Sequence, residues 1–381
     1  MGHPVEAIKQ PRTDEKPLWD VLFGLSGYPA VLVANQLKLF ELLAEKPITL
    51  DEVCRAKKLA KRPAEALLSV CTSLGFVVLR EGRYSLTPVS EDYLLPWSPT
   101  YFGWFFDAWA PIYSVWSPES LLKAVMTDKP QGPFGDPNNA FALWHADQGL
   151  NFTRAIHSAS MAAGLAWPKH VDLSSHRVML DVGGGSGAHS IGAVTACPGL
   201  HAIVLDQQMI CDIARCFSEQ HGLSGRISTR TADFFKDPFP PADVHFYGMI
   251  FHDWPPEACR SLARKSFESL PTDGRIIIHE MLVNDDRTGP FPSPHLMWIC
   301  SRRCQGSNIP GASCVACSPK LDSRMSNQSR RSATGASSLA AKRPDKDRIK
   351  NHITRVSLGE GHECKSCPGQ KKQGPRPPAV S

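Results

Sequence analysis

The amino-acid sequence predicts an α/β protein with a helical winged-helix domain first and a doubly wound, mostly parallel sheet second. Three observations support this prediction. A helix–turn–helix–hairpin pattern comes before residue 100. Short apolar runs alternate with helix-length segments between residues 177 and 280. After residue 290 aromatic residues nearly disappear and the chain becomes basic, which predicts a disordered C-terminal tail.

The N-terminal pattern begins with apolar residues between positions 18 and 44, which fit two short helices broken at Gly27–Pro29. Thr49 and Glu52 then have the spacing of a capping box, in which each side chain binds the other residue's backbone N–H. We therefore expect another helix to start directly after Thr49.

A further helix at about residues 63–74 and two strands flanking the turn at residues 80–82 complete the order of a winged helix. Such a domain can bind DNA or serve as a dimerisation platform. Four basic residues give the hypothesis of DNA binding some support: Lys57, Lys58, Lys61 and Arg62. We favour dimerisation and expect no nucleic-acid partner, because the chain before residue 291 has 26 Lys and Arg against 32 Asp and Glu.

Residues 100–165 are rich in Trp, Phe and Ala. This composition predicts helices that either form the wall of a pocket or simply extend the helical core. We assign residues 101–176 to a helical linker and pocket wall, after a winged-helix domain at residues 18–100.

The predicted sheet starts near residue 177 and consists of five short apolar runs. Because ligands of parallel α/β sheets bind at the carboxyl ends of the strands, the residues that follow each run are candidates for the site. The five runs are Val178–Val182, Ala202–Leu205, Arg226–Thr231, Val244–Ile250 and Arg275–His279.

A glycine loop follows the first run, with Asp181 before it and glycines at Gly183, Gly185 and Gly187. Glycine lets the backbone turn sharply and approach a ligand closely. The same glycines followed by Ala188 also satisfy a dinucleotide fingerprint. The glycine pattern alone therefore leaves an NAD-dependent oxidoreductase as an alternative function. Asp181 is not part of that fingerprint and suits the cationic amino group of a methionine-like ligand.

Acidic residues also follow the next two runs. Asp206 is placed to accept hydrogen bonds from both hydroxyls of a ribose, or to cap the next helix. Asp233 and Phe234 are placed to bond an adenine amino group and to cover the ring face. Phe234 could equally be a core residue.

The last two runs bring the candidate catalytic residues His252, Asp253 and Glu280. An imidazole with a pKa near neutrality can remove a proton from a substrate hydroxyl, which makes His252 a candidate general base. Asp253 adjoins it, and Glu280 could orient its ring or be a solvated carboxylate.

These motifs together resemble the S-adenosylmethionine (SAM)-dependent O-methyltransferases of the hydroxyindole, caffeic acid and bacterial polyketide type. The resemblance covers roughly residues 18–290. The matching segments are residues 39–43, 180–187, Asp206, 232–235, 242–243, 251–254 and 274–280.

The resemblance implies a Rossmann-like methyltransferase sheet at residues 177–290 and a homodimer formed through the N-terminal domain. It implies that SAM binds at the glycine loop, with Asp206 on the ribose and Asp233 with Phe234 on the adenine. It also implies His252 as the general base for a hydroxylated small-molecule acceptor, and it places Phe152 and Ser160 at the pocket.

The chain departs from the family pattern in three places. Ala232 stands where the family usually has glycine, and Gly248-Met249 where some members have a basic residue. The family's C-terminal helix and closing strands are missing after residue 290. A catalytically impaired remnant with weak or no SAM binding is therefore an alternative to an active enzyme.

The tail, residues 291–381, contains 16 Lys and Arg against five Asp and Glu. It holds two CxxC pairs, Cys314–Cys317 and Cys364–Cys367, separated by 46 residues without an apolar surround. This spacing is far longer than in a zinc ribbon, so we expect no metal.

The apolar runs, the N-terminus and the cysteines of the chain suggest an intracellular protein. We find no run of about 18 apolar residues and no export signal, so we expect no membrane partner. Six cysteines before residue 291 lack framework spacing and are expected to be reduced thiols. These features predict a cytoplasmic location.

Overall fold

The computed structural model describes residues 11–110, 117–127, 146–281 and 353–357. Its helices are α1 (Lys16–Gln36), α2 (Leu39–Glu45), α3 (Leu50–Lys57), α4 (Lys61–Ser73), α5 (Pro88–Tyr93), α6 (Gly103–Trp109), α7 (Pro118–Thr127), α8 (Ala146–Ala166), α9 (Ala188–Ala196), α10 (Gln208–Gln220) and α11 (Pro256–Ser269). Its strands are β1 (Ile48–Thr49), β2 (Val77–Arg80), β3 (Arg83–Leu86), β4 (Val178–Val182), β5 (His201–Asp206), β6 (Ile227–Thr231), β7 (Val244–Gly248), β8 (Arg275–Glu280) and β9 (Ile353–Ser357).

The N-terminal part has the element order of a winged helix, with a three-stranded sheet ordered β1–β3–β2. The predicted capping box is present: the Thr49 hydroxyl accepts from the Glu52 N–H, and the Glu52 carboxylate accepts from the Thr49 N–H. The β2–β3 hairpin turns through Glu81 and Gly82, which both have positive φ, as a type I′ turn requires.

One expectation about this part is wrong. The helix does not break at Gly27–Pro29, because α1 runs through Pro29 to Gln36. The break comes at Lys38, whose φ of 51° reverses the chain direction before α2. A proline removes one backbone hydrogen bond, and here the remaining turns keep the helix continuous.

The second part is a doubly wound sheet whose five strands run parallel in the order β6–β5–β4–β7–β8. The order reverses between β4 and β7, which is where the glycine loop lies. Alternate side chains of the strands enter two apolar layers. One lies against α8, α9 and α10 and the other against α11, so helices cover both faces.

A sixth strand, β9, pairs in parallel with β8 over the five residues from Ile353 to Ser357. The prediction of a tail without regular structure is therefore corrected for this pentapeptide. The edge of β8 offers unpaired backbone groups, which explains why a segment without a clear sequence pattern can form a strand there. The other residues of the predicted tail, including both CxxC pairs, lie outside the described residues.

Among the described residues, one helix is long and apolar enough to cross a membrane by length and composition alone, and that helix is α1. A core helix passes the same test. The expectation of no membrane partner stays a prediction.

Candidate active site

The glycine loop connects β4 to α9 in a conformation that glycine makes possible. Gly183, Gly185 and Gly187 have φ of 67°, 58° and 76°, in the left-handed region that side chains disfavour. The Gly183 N–H donates to the Leu205 carbonyl at 2.8 Å, and the Gly185 N–H donates to the Asp206 carboxylate at 3.0 Å. The loop is thus folded against the end of β5.

Asp181 is buried under this loop. One of its carboxylate oxygens accepts from the Ser190 hydroxyl at 2.7 Å, while the other is buried without a partner in the described part of the chain. Burial raises the pKa of Asp181 to about 7. A Cβ at Gly184 would lie 2.6 Å from the Asp181 carboxylate carbon, so only glycine fits above it.

Asp206 is held by two backbone donors, since its Oδ1 accepts from the Gln207 N–H at 2.7 Å and its Oδ2 from Gly185. Burial raises its pKa to about 6, against the opposing effect of these two hydrogen bonds. The bonds fix the plane of the carboxylate, and each oxygen keeps a second lone pair for a ligand hydroxyl.

The turn after β6 places Phe234 beside the glycine loop, whereas the Asp233 side chain contacts residues of the turn itself. Phe234 lies beside the glycine loop, 3.5 Å from where a Cβ of Gly183 would be. The Asp233 carboxylate forms local contacts, an ion pair with Lys236 at 2.8 Å and a bond from the Phe235 N–H, and the hydrogen bond from Lys236 is the main cause that lowers its pKa. The predicted contact between Asp233 and adenine therefore stays a prediction.

Sequence reasoning missed Lys265 of α11. Its ammonium donates to the Phe234 carbonyl at 2.7 Å and to the Asp237 carbonyl, and it lies 4.2 Å from the centre of the Phe239 ring. Lys265 therefore anchors both ends of the turn that presents Phe234. Nothing in the sequence pattern marks it, because it lies 31 residues away from Phe234.

His252, Asp253 and Glu280 come together at the ends of β7 and β8. The Glu280 carboxylate contacts His252 Nδ1 through Oε2 at 2.8 Å and accepts from the Phe251 N–H through Oε1 at 2.8 Å. The Asp253 carboxylate lies 3.5 Å from His252 Nε2. His252 and Glu280 are both buried, so their contact is shielded from solvent.

The backbone around His252 is tightly turned. Met249 directly follows β7 and has a φ of 57°, an unfavourable value for a residue with a side chain, and residues 251–253 form a single 3-10 turn. The Cys259 thiol of α11 donates to the Phe251 carbonyl at 3.2 Å and thereby holds this turn from below. Cys259 is a second residue that the sequence did not reveal.

The structure thus brings Asp181, the glycines, Asp206 and Phe234 together around one loop, and His252 with Asp253 and Glu280 at the same edge of the sheet. Within the residues that the structure describes, no group of three or more His, Cys, Asp or Glu side chains could hold a metal ion. The site is an organic ligand site in its donor set: carboxylates, backbone N–H groups and aromatic rings.

Comparison with known sequences gives two family matches. A model described as the O-methyltransferase domain matches residues 119–300, and one described as the O-methyltransferase dimerisation domain matches residues 19–96. The chain is 36% identical over 297 residues to the 3-hydroxy-5-methyl-1-naphthoate 3-O-methyltransferase of Streptomyces sahachiroi, a match that covers 77% of this chain and 85% of that one. It is 32% identical over 281 residues to the acetylserotonin O-methyltransferase of Bos taurus, with 70% and 80% covered.

Solved structures show the same fold. Human N-acetylserotonin methyltransferase in complex with SAM gives a TM-score of 0.68 at 25% identity, covering 79% of this chain and 90% of that one. PigF with S-adenosylhomocysteine gives a TM-score of 0.65 at 21% identity, with 80% and 92% covered.

Proposed function

Since the chain belongs to the O-methyltransferase family and is a SAM-dependent O-methyltransferase, we propose that it methylates an aromatic hydroxyl with His252 as the general base. The observation that carries this proposal is the contact of His252 Nδ1 with Glu280 at 2.8 Å. With Nδ1 on the carboxylate, we assign Nε2 as the ring atom that takes a proton from the acceptor.

In this proposal, His252, Glu280 and Asp253 remove the proton from the acceptor hydroxyl. A carboxylate on Nδ1 fixes the tautomer of the imidazole and stabilises the imidazolium that forms when Nε2 takes the acceptor's proton. Asp253, 3.5 Å from Nε2, adds a second negative charge beside that cation. Removing the proton gives the acceptor oxygen the electron density that it needs for attack.

The residues around the glycine loop fit SAM. Among the described residues no donor reaches the second carboxylate oxygen of buried Asp181, and an ammonium group supplies one. We assign the amino-acid end of SAM to Asp181 with Gly183, Gly185 and Gly187. We assign its ribose to Asp206 and its adenine to Asp233 and Phe234. When bound, SAM supplies a methyl group already activated on a sulfonium sulfur.

The acceptor class is inferred from the relatives, whose names specify a hydroxynaphthoate and acetylserotonin. Both are hydroxylated aromatic molecules, and the helical segment before the sheet is aromatic. Within that segment the Phe102 ring contacts Phe105 in a tilted arrangement and Phe106 edge to face, with centroids 5.0 and 5.3 Å apart. We propose a phenolic or polyketide-like acceptor, with Phe152 and Ser160 of α8 at its pocket.

The direct test measures methyl transfer from labelled SAM to hydroxynaphthoate and N-acetylserotonin. We expect His252→Asn to lower kcat by about 10²- to 10⁴-fold, the range that a general base contributes, with the Kd of SAM unchanged. His201→Asn, at an exposed position at the start of β5, is the matched control.

Three outcomes are distinct. Loss of turnover in His252→Asn alone supports the proposal, and full turnover in that variant contradicts the assignment of the base. No calorimetric binding of SAM to the unsubstituted protein would instead identify the chain as a catalytically impaired remnant.

We also propose that the protein is a homodimer in the cytoplasm. Residues 19–96 match a dimerisation domain, and α1 within it leaves several large apolar side chains exposed: Leu18, Val21, Leu22, Phe23 and Leu25. A second copy of the same surface would cover them.

The oligomeric state is tested by sedimentation. Phe23→Asp is expected to shift the protein from dimer to monomer, whereas Leu122→Asp, at an equally exposed apolar position on α7, should leave the dimer intact. A monomeric unsubstituted protein at micromolar concentration would contradict the proposal.

A further inference from the structure

A buried histidine of α8 contacts the glycine loop. His157 Nδ1 lies 2.8 Å from the Ser186 hydroxyl, a hydrogen-bond distance, and both residues are 3% exposed. Ser186 is the residue of the loop between Gly185 and Gly187. The contact thus joins the helical segment before the sheet to the loop that we assign to SAM.

The imidazole of His157 is itself firmly held. It stacks on Phe217 of α10, with ring centroids 3.8 Å apart and planes 12° from parallel, and Trp104 of α6 lies 6.1 Å away. The hydroxyl of the neighbouring Ser158 donates to the Tyr101 carbonyl at 2.7 Å, so a second hydrogen bond holds α8 next to His157. An anchored ring of this kind can restrain the loop that it contacts.

His157 stays uncharged while the protein is folded. Burial lowers its pKa to about 3, with the nearby His221 as a smaller cause. The contact with Ser186 is therefore a neutral hydrogen bond. No step of the proton transfer at His252 uses this group.

We propose that His157 is a positioning residue for SAM, acting through Ser186 to hold the glycine loop in its binding conformation. The proposal rests on the proposed function, in which this loop binds SAM. A loop with three left-handed glycines has many conformations available, and the bond to Ser186 removes part of that freedom before the ligand arrives.

The test is a double-mutant cycle on the Kd of SAM, measured by calorimetry. His157→Phe keeps the stacking on Phe217 but loses Nδ1, and Ser186→Ala loses only the hydroxyl. Each is expected to raise the Kd by about two- to tenfold, the effect of one neutral buried hydrogen bond. The double variant should be no weaker than the weaker single variant, because both changes remove the same bond. The KM of SAM should rise in proportion to its Kd, and it should change more than kcat does.

His245→Phe is the matched control, because His245 Nδ1 also contacts a buried serine, Ser266, at 2.9 Å, on the opposite face of the sheet. It is expected to lower the melting temperature as His157→Phe does, but to leave the Kd of SAM unchanged. An equal rise of Kd in His245→Phe, additive effects in the cycle, or unchanged Kd values in both loop variants would overturn the inference. Absence of SAM binding by the unsubstituted protein would overturn the proposed function as well.

Discussion

We predict that Asp181 makes the binding of SAM depend on pH. Its pKa is raised to about 7 by burial, and the ammonium group that we assign to it needs the ionised form. We therefore expect the Kd of SAM to rise as the pH falls below 7, approaching tenfold per pH unit. Calorimetry between pH 5.5 and 8 measures this dependence.

Asp181→Asn should bind SAM more weakly at pH 8 and lose most of that pH dependence. Asp206→Asn is the useful comparison, because its pKa of about 6 places its own titration lower. An unaltered pH slope in Asp181→Asn would show that another group titrates.

Lys265 is also expected to affect the binding of SAM. Its ammonium bonds the carbonyls of Phe234 and Asp237, and burial is the main cause that lowers its pKa. Lys265→Met keeps a side chain of similar length but removes the ammonium that holds the turn, so the Kd of SAM should rise by roughly three- to tenfold. The KM of the acceptor should stay unchanged.

Two companion variants isolate the role of this charge. Lys265→Arg should restore part of the affinity, and Arg264→Met, on the exposed neighbour, should have no effect. Equal affinities for SAM in all three variants would contradict an anchoring role for Lys265.

The site residues that the sequence predicted for the sheet share a property: they lie at the ends of apolar runs or just after them, so their position at the sheet edge can be deduced from local pattern. Ser190, Lys265 and Cys259 could not be deduced in this way. Each acts through a contact made by helix packing, and helix packing brings together residues whose spacing in the chain carries no signal.

At the scale of elements, the five parallel strands were predicted within two residues at each end because their apolar runs are short and bounded. Helix α1 was predicted with a break that does not exist, since Pro29 removes one backbone hydrogen bond but the helical turns on either side of it persist. Strand β9 was not predicted at all. Its segment has no periodicity, and its pairing depends on the open edge of β8.

The pairing of β9 can be tested with two adjacent substitutions, Thr354→Pro and Arg355→Pro. Successive N–H groups point to opposite sides of a strand, so only one of these two can donate to β8. We expect one variant to speed amide hydrogen exchange in Ile276–Glu280 by about two- to tenfold, and the other to match the unsubstituted protein. Identical protection in all three proteins would contradict the pairing.

Across the part of the chain that the structure describes, four buried histidines have a pKa of about 4 or lower and stay neutral in the fold. Burial lowers the pKa of His157 and His189 to about 3 and that of His245 and His279 to about 4. Each takes up a proton on unfolding when the pH is below about 6.5, the ordinary pKa of histidine. Their contribution to stability is complete above that pH and is lost as the pH falls toward the folded values.

Asp181 and Asp206 act in the opposite direction, because their raised pKa values favour the folded state below about pH 4 and lose that effect as the pH rises through 6 and 7. Near pH 5.5 the four histidines take up more protons on unfolding than the two aspartates release, and the net uptake should be roughly two protons. This uptake corresponds to a loss of about 3 kcal/mol in the free energy of unfolding for each unit by which the pH falls. Urea unfolding of the ligand-free protein between pH 5 and 7.5 measures this slope. A midpoint that rises as the pH falls would mean that the two aspartates dominate, and His279→Phe should reduce the slope by about one proton.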